Sequence, residues 1–256
     1  MPQPWTGDAD TLRESMVTGS AAAVVDTSEI IFVPGLNNSA AVWSPVISAL
    51  LPRFPARAVD CPALDDMDGV AAALLDDLPE RFVAVGHSFG GYVVLSMLAQ
   101  QPHRLRGVVL VNSGDNADTP DQAAGRLAKA EEARTGDYEQ MAMARVDLVY
   151  HPNNRDNEAL LDERRAGVRE YGVQRYVAHL AACARRPDRG ALLTATEVPV
   201  LVVASDHDQV IRPAAQRAMA KRAGAAFSLI PNAGHMLPAE EPATLARVIA
   251  EWVAVQ

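Results

Sequence analysis

The sequence predicts an α/β protein with a mostly parallel central sheet and helices on both faces of that sheet. Short apolar, β-branched runs alternate with longer helical stretches along most of the 256 residues, and this alternation is typical of βαβ crossovers. The candidate strands are apolar throughout, as expected when helices cover both faces of a sheet. The predicted strands lie within residues 29–35, 56–62, 81–87, 107–113, 198–206 and 225–235, and the last two of these stretches also contain the residues that follow the strand.

The predicted elements follow one another in a regular order. The first strand, "EIIFVPG", ends at a Pro-Gly pair that favours a turn, and "AAVWSPVISALL" then favours a helix. The helical stretch "VAAALLDDL" separates the second and third strands, and "FGGYVVLSMLAQQ" leads from the third strand to the fourth. An Ala-rich helix separates the last two strands, and a short hairpin is predicted at residues 14–27, ahead of the sheet.

Residues 116–195 interrupt this alternation. No convincing strand occurs there, and four helical stretches are predicted at 119–133, 137–150, 156–172 and 173–186. The first opens with Thr119 and Pro120, an N-cap residue followed by proline at the first helical position. We therefore predict a four-helix cap, or lid, at 116–195, inserted into a core made of residues 1–115 and 196–256.

The composition narrows the class of partner. A formal net charge of −9 argues against nucleic acid or an anionic membrane, because both favour clustered Lys and Arg. No apolar run is long enough to span a bilayer, and the first residues lack the basic and apolar regions of a signal peptide. Two cysteines, Cys61 and Cys183, are too few for a disulfide framework and are expected to be buried thiols. These observations predict a cytoplasmic protein that acts on a small molecule.

One pentapeptide stands out within the apolar run "VAVGHSFGGYVVL". Gly86-His87-Ser88-Phe89-Gly90 fits the pattern G-x-S-x-G, which forms a nucleophile elbow when a strand precedes it and a helix follows it. Both conditions hold in the predicted elements. Ser88 would stand at a sharp, strained turn that requires glycine on either side, and Gly91 is a further small residue where helix and sheet pack closely. We therefore predict that Ser88 is a catalytic nucleophile.

A serine hydroxyl needs a base, and the base needs an acid that orients it. His235 is the best candidate for the base, because it lies in a turn-rich loop just after the last predicted strand, where ligands of open α/β sheets bind. His103, His151, His179 and His207 have less suitable positions in the chain. Asp206 and Asp208 both follow the fifth predicted strand, and the later aspartate is better placed to reach the histidine loop.

The backbone N–H groups of Leu36 and Phe89 are the predicted oxyanion hole, Phe89 because it directly follows the nucleophile and Leu36 because Gly35 lets the loop bend toward the site. Candidate substrate contacts are Asn37, Trp43, Met141, Tyr150 and Tyr176, although Asn is also a common turn former and Trp, Met and Tyr are common core residues.

Other site chemistries find less support in the sequence. Cys61 ends a strand, but no glycine elbow surrounds it, so a buried thiol is the better interpretation. Three aspartates at 65, 66 and 68 resemble part of a calcium loop but lack the later glutamate. No glycine-rich phosphate loop, CxxC pair or HExxH motif occurs, so neither a metal nor another cofactor is expected.

These motifs resemble the α/β-hydrolase superfamily, and within it the single-domain, esterase-like members with a four-helix cap. The resemblance covers about residues 29–254 and rests on "FVPGLNNSAAVW", "VAVGHSFGGYVVL", "VVLVNSG", "VPVLVVASDHDQVIRP" and "NAGHMLPAEEP". It implies an α/β-hydrolase fold and favours Asp208 over Asp206 as the triad acid. Many members carry His-Gly before the oxyanion loop, whereas this chain has Pro34-Gly35, a change that concerns loop shape and substrate preference more than catalysis.

The sequence therefore predicts a serine hydrolase that cleaves a carboxylic ester with a small or medium apolar acyl group. The proposed triad is Ser88, Asp208 and His235. Lactonase, carbon–carbon bond hydrolase and other triad chemistries remain alternatives, because fold and triad do not determine the substrate. A relative that binds a ligand without turning it over is a further alternative from a different functional class.

Overall fold

The computed structural model describes residues 28–256, so the hairpin predicted at 14–27 lies outside the described residues. Six strands of the described chain form one sheet in the order β2-β1-β3-β4-β5-β6, and every neighbouring pair is parallel. The strands are β1 (Glu29–Val33), β2 (Ala56–Ala58), β3 (Phe82–His87), β4 (Leu105–Val111), β5 (Val200–Ser205) and β6 (Ala226–Ile230). The predicted parallel α/β fold is confirmed.

Helices cover both faces of the sheet. Between the strands lie α1 (Ser44–Leu50), α2 (Met67–Leu75), α3 (Phe89–Gln100) and α9 (Pro213–Ala223), and α10 (Leu237–Glu240) and α11 (Pro242–Val253) follow β6. Successive strand residues point to opposite faces, so Ile31 of β1 packs with α2, α3 and α9, whereas Phe32 packs with α1 and α11. This two-sided burial explains why the strands are apolar without alternation.

The segment between β4 and β5 contains helices and the loops that join them, and no strand. It contains α4 (Pro120–Thr135), α5 (Tyr138–Met143), α6 (Val146–Val149), α7 (Glu158–Arg185) and α8 (Gly190–Ala195); we call residues 116–195 the helical insertion. Helix α4 packs along α7 around a small apolar cluster of its own. Helix α4 is capped as the sequence indicates, with the Thr119 side chain accepting a hydrogen bond from the Gln122 N–H.

The helix boundaries in the insertion agree with the predicted ones in one place and differ in another. The break predicted between the helices at 156–172 and 173–186 is present within α7, because Gly172 has a non-helical backbone (φ +74°, ψ 155°) and two helical segments meet there at a kink. The predicted helix at 137–150 is divided into α5 and α6. Within residues 28–256, none of the helices has the length and apolarity needed to cross a bilayer.

Candidate active site

Ser88 lies at the sharp turn between β3 and α3. Its backbone φ is +52°, in the left-handed region that residues with a side chain seldom adopt, so the turn holds Ser88 in a strained conformation. A Cβ atom on Gly86 would overlap the backbone of Gly90, and one on Gly90 would overlap the carbonyl of Val33. The G-x-S-x-G spacing is therefore a steric requirement of this turn.

Hydrogen bonds fix the backbone around Ser88. The Ser88 N–H donates to the carbonyl of Val111 at 3.0 Å, which ties the turn to the end of β4. The Ser88 carbonyl accepts from the hydroxyl of Ser113 at 2.8 Å and from the Gly91 N–H at 3.0 Å. A Cβ atom on Gly91 would overlap the Ser113 side chain, so Gly91 is the small residue that lets α3 approach the sheet.

His235, in the loop between β6 and α10, connects Ser88 to Asp208. Its Nε2 is 2.9 Å from Ser88 Oγ, and its Nδ1 is 2.9 Å from a carboxylate oxygen of Asp208. Because a carboxylate only accepts hydrogen bonds, Nδ1 carries the proton and Nε2 remains the acceptor for the serine hydroxyl. An imidazole in this state can take the proton of the hydroxyl and so make the oxygen nucleophilic.

Asp208 is the aspartate that contacts His235. Its side chain is fully buried, and one carboxylate oxygen accepts hydrogen bonds from the N–H groups of Val210 at 2.8 Å and Ile211 at 2.9 Å. These two bonds orient the other oxygen toward the imidazole. Asp206 is exposed and accepts a hydrogen bond from the Ala233 N–H at 3.3 Å, so it supports the turn before His235 instead.

Asn112, which the sequence analysis did not identify, joins three separate segments beneath the site. Its side-chain amide donates to the hydroxyl of Ser205 at 2.8 Å and to the carbonyls of Gly234 at 3.1 Å and His235 at 3.0 Å. Its side-chain oxygen accepts from the Ser205 N–H at 2.9 Å. Asn112 is fully buried at φ +45°. An uncharged polar residue at the end of an apolar strand was the only sequence signal for this role.

His87 also positions the histidine loop. Its Nε2 lies 2.8 Å from the carbonyl of His235 and donates to it, and its ring meets Trp43 edge to face. Burial and, to a smaller extent, the nearby His235 lower the pKa of His87 to about 3. His87 is therefore neutral at pH 7 and acts as a hydrogen-bond donor in the core, not as an acid or base.

Glu240 connects the histidine loop to the helical insertion. Its carboxylate accepts hydrogen bonds from the Gly234 N–H at 2.9 Å, the His151 N–H at 2.7 Å and the Asn154 side chain at 2.9 Å. Burial raises the pKa of Glu240, and these three bonds oppose that effect. The residue before His235 is thus held against the segment that follows α6.

Leu36 and Phe89 lie together in the wall of the cavity that contains Ser88. Within the described chain, neither of their backbone N–H groups donates to a backbone carbonyl, which leaves both available to a ligand. The side chain of Asn38 donates to the Leu36 carbonyl at 2.8 Å and so fixes this loop. Asn37 also lines the cavity, where its side-chain oxygen accepts a hydrogen bond from Tyr138 at 2.9 Å.

The cavity above Ser88 has a volume of about 870 Å³ and extends beneath the helical insertion. Of the predicted substrate contacts, Asn37, Met141 and Tyr176 line it. The other two predictions were wrong. Trp43 is fully buried in the core, 4.7 Å from the ring of Phe32, and Tyr150 is buried with its hydroxyl directed at the Leu160 carbonyl.

The two cysteines and His179 are buried and have structural roles. Cys61 and Cys183 are free and buried, and burial raises the pKa of both thiols, so neither is a reactive thiolate. His179 stacks on Phe89 with ring centroids 4.4 Å apart, donates to the Pro62 carbonyl at 2.7 Å and contacts the Tyr171 hydroxyl. Burial lowers the pKa of His179 to about 4.

A sequence model described as "Alpha/beta hydrolase family" matches residues 30–248, which include every element from β1 to most of α11. The chain belongs to this family. This α/β hydrolase is accordingly an enzyme, and the family resemblance stated from the motifs is confirmed.

Known relatives of this α/β hydrolase carry out more than one reaction. It is 26% identical over 242 residues to a 2-succinyl-6-hydroxy-2,4-cyclohexadiene-1-carboxylate synthase from Enterobacter sp. (strain 638), covering 87% of this chain and 90% of that protein. It is 32% identical to a pimeloyl-[acyl-carrier protein] methyl ester esterase from Nitrosomonas europaea, but over only 33% of this chain and 37% of that protein. A thermophilic esterase from Thermogutta terrifontis has the same fold, with a TM-score of 0.80, 24% identity and coverage of 88% and 89% of the two chains.

Proposed function

We propose that this α/β hydrolase cleaves carboxylic esters through a covalent acyl-enzyme, with Ser88 as nucleophile, His235 as general base and Asp208 as the orienting acid. The observation that carries the proposal is the unbroken hydrogen-bonded chain from Ser88 Oγ through His235 to Asp208, with two links of 2.9 Å each. The strained Ser88 turn supports it, because strain of this kind persists where surrounding structure enforces it and concentrates at functional sites.

In the first half of the reaction, His235 Nε2 takes the proton of Ser88 while Oγ attacks the ester carbonyl. Negative charge then develops on the carbonyl oxygen. Leu36 and Phe89 line the cavity, and we propose that their N–H groups donate to that oxygen while the N-terminus of α3 adds its positive dipole. The C–O bond to the alcohol breaks as His235 returns its proton to the leaving oxygen.

In the second half, a water molecule gives a proton to His235 Nε2 and attacks the acyl-enzyme, which releases the acid and restores Ser88. Asp208 stabilises the imidazolium that forms in each half. The helical insertion is proposed to act as a cap, because Met141 and Tyr176 contribute to the same cavity wall as Ser88. A covered cavity limits the access of bulk water while substrate is positioned.

Covalent labelling tests the proposal without knowledge of the natural substrate. The folded protein is incubated with a fluorophosphonate, its intact mass is measured and the modified peptide is mapped. We expect one adduct, on Ser88, that is absent from Ser88→Ala and retained in Ser48→Ala, a control at an exposed helical serine. The absence of an adduct on folded protein would reject the proposal and favour a relative that only binds its ligand.

A substrate panel then separates the ester reaction from related ones. We expect hydrolysis of 4-nitrophenyl esters of short and medium acyl groups, loss of this activity in Ser88→Ala, and weaker activity on lactones. If the protein turns over only lactones, or cleaves only carbon–carbon bonds, the triad assignment would stand but esters would be rejected as the substrate class.

A further inference from the structure

Positive side chains outnumber negative ones in the wall of the Ser88 cavity, although the whole chain has a net charge of −9. The wall contains Arg126, Lys129, Arg145, Arg164, Arg186 and Arg212 but only three aspartates, at 115, 118 and 188. Two of these aspartates already have partners in the protein, because Asp118 pairs with Arg126 and Arg186 and Asp115 pairs with Arg222. The cavity therefore has an excess of positive charge that its own acids do not neutralise.

Among the positive side chains of the wall that lack an acidic partner, Arg164, on α7, is buried, with 6% of its surface exposed. Its guanidinium donates to the carbonyl of Ala142 at 2.8 Å and hydrogen-bonds to the side chain of Tyr150. Both partners are uncharged at pH 7. The Nε–H of Arg164 has no acceptor among residues 28–256, and no carboxylate in that range forms an ion pair with Arg164.

Arg186 is a second buried arginine, and unlike Arg164 it has a carboxylate partner. Arg164 and Arg186 are the buried arginines of the described chain, and Arg186, 8% exposed, lies 2.7 Å from the carboxylate of Asp118. A guanidinium keeps its charge when buried, and a buried charge without a counter-ion is costly. Arg164 is thus the buried arginine of the described chain that has no carboxylate partner.

Lys129, on α4, and Arg145, between α5 and α6, are exposed at the same cavity. Neither forms an ion pair with an acid in the part of the chain that the structure describes. Arg126 lines this cavity with them, and the pKa of Lys129 is lowered by burial and by the charges of Arg145 and Arg126. A cluster of like charges beside a cavity raises the local concentration of an anionic ligand.

We infer that the ester bound at Ser88 carries a carboxylate, which pairs with Arg164, and that Lys129 and Arg145 attract this anion to the cavity. The inference rests on the proposed esterase function and specifies its substrate class. A guanidinium suits a carboxylate because two parallel N–H···O bonds match its geometry. Met141, Leu148 and Tyr176 of the cavity wall would contact the chain between carboxylate and ester, so half-esters of dicarboxylic acids are the expected substrates.

A calorimetric titration with adipamate (adipic acid monoamide) and with hexanamide tests this inference, because the two compounds differ only in a terminal carboxylate and lack an ester. We expect adipamate to bind at least about tenfold more tightly. Arg164→Met should remove that preference. Arg165→Met, a control at the adjacent, partly exposed arginine, which pairs with Asp162, should keep it. Equal affinities, a preference that survives Arg164→Met, or binding of inorganic phosphate without adipamate would overturn the inference.

Arg164 is buried, so circular dichroism must show that Arg164→Met is folded. The double variant Lys129→Gln/Arg145→Gln alters only exposed side chains and provides a second test. We expect it to weaken adipamate binding about twofold to fivefold without changing hexanamide binding, and we expect added salt to reduce this difference. Unchanged adipamate affinity would contradict the role of these two residues.

Fluorophosphonate labelling of the same samples separates the two proposals. Labelling of Ser88 without a preference for adipamate would reject the carboxylate subsite and keep the esterase. A preference for adipamate without labelling would reject the esterase and show that the cavity is an anion-binding site of another kind.

Discussion

Replacing Asp208 by asparagine tests how His235 is held. The N–H groups of Val210 and Ile211 both donate to one side-chain oxygen of Asp208, and asparagine can keep that oxygen in place. Its amide NH₂ would then face His235 Nδ1 where the carboxylate now lies at 2.9 Å. An NH₂ group donates, so Nδ1 must become the acceptor and the imidazole proton must move to Nε2. His235 could then no longer accept the proton of Ser88.

The expected loss is large because the wrong tautomer blocks the first proton transfer. The equivalent substitution in serine proteases lowers kcat by about 10⁴-fold, which corresponds to about 5.5 kcal/mol of transition-state stabilisation. Asp206→Asn is the matched control, since its carboxylate is exposed and accepts only a 3.3 Å bond from Ala233. Surface changes of this kind alter free energies by about 0.5 kcal/mol or less, so a twofold effect or smaller is expected.

The assay is the second-order rate constant of fluorophosphonate labelling, which needs no natural substrate, supported by kcat/KM for a 4-nitrophenyl ester. Urea unfolding of each variant confirms that the fold is kept. A severe effect of Asp206→Asn together with a mild effect of Asp208→Asn would refute the assignment of the acid and the tautomer argument with it.

Three further perturbations probe the supporting structure. Gly90→Ala forces a Cβ against the Val33 carbonyl and should lower the free energy of unfolding by about 1–3 kcal/mol and abolish labelling; normal labelling would contradict the steric account of the turn. Asn112→Ala removes bonds to Ser205, Gly234 and His235 and should lower the labelling rate as well as the unfolding free energy measured in urea, whereas a stability loss alone would deny it a positioning role. The pKa of His87 is about 3 in the native state, against a usual value of 6.5. Between these two pH values the unfolded chain binds a proton that the native state does not bind, so the free energy of unfolding should fall as pH drops from about 6.5 toward 3. His87→Gln should flatten that slope by up to about 1.4 kcal/mol per pH unit, and His103→Gln, an exposed control, should leave it unchanged.

Local features of the sequence were sufficient to predict the elbow. The spacing of Gly86, Ser88 and Gly90 reflects contacts within one turn and its two flanking elements, and the apolar strands reflect burial on both faces. Both features depend on short stretches of the chain, so they can be predicted from this one sequence alone. The loop position of His235 also followed from local turn chemistry.

Features that depend on packing between distant segments could not be predicted in the same way. The residues beside Trp43 in the sequence are compatible with a position in the pocket wall and with one in the core. Only the packing of Trp43 on Phe32, seen in the structure, places it in the core. Tyr150 is turned away from the cavity by contacts with α7. Asn112 belongs to no motif, because its partners lie on β5 and in the histidine loop. The positive cavity wall likewise forms only when α4, α5 and α7 come together.

The bonds of Asn112 have a consequence for the order of events during folding. Asn112 bonds to Ser205, which is 93 positions away in the chain, and to His235, which is 123 positions away. Ser88 is 147 positions from His235. Contacts between such distant segments form slowly, because long loops must close first. The elbow can therefore be built well before its serine becomes reactive, and a chain that ends ahead of β6 would contain Ser88 without its chemistry. The recovery of Ser88 labelling during refolding should therefore report when the whole sheet is complete.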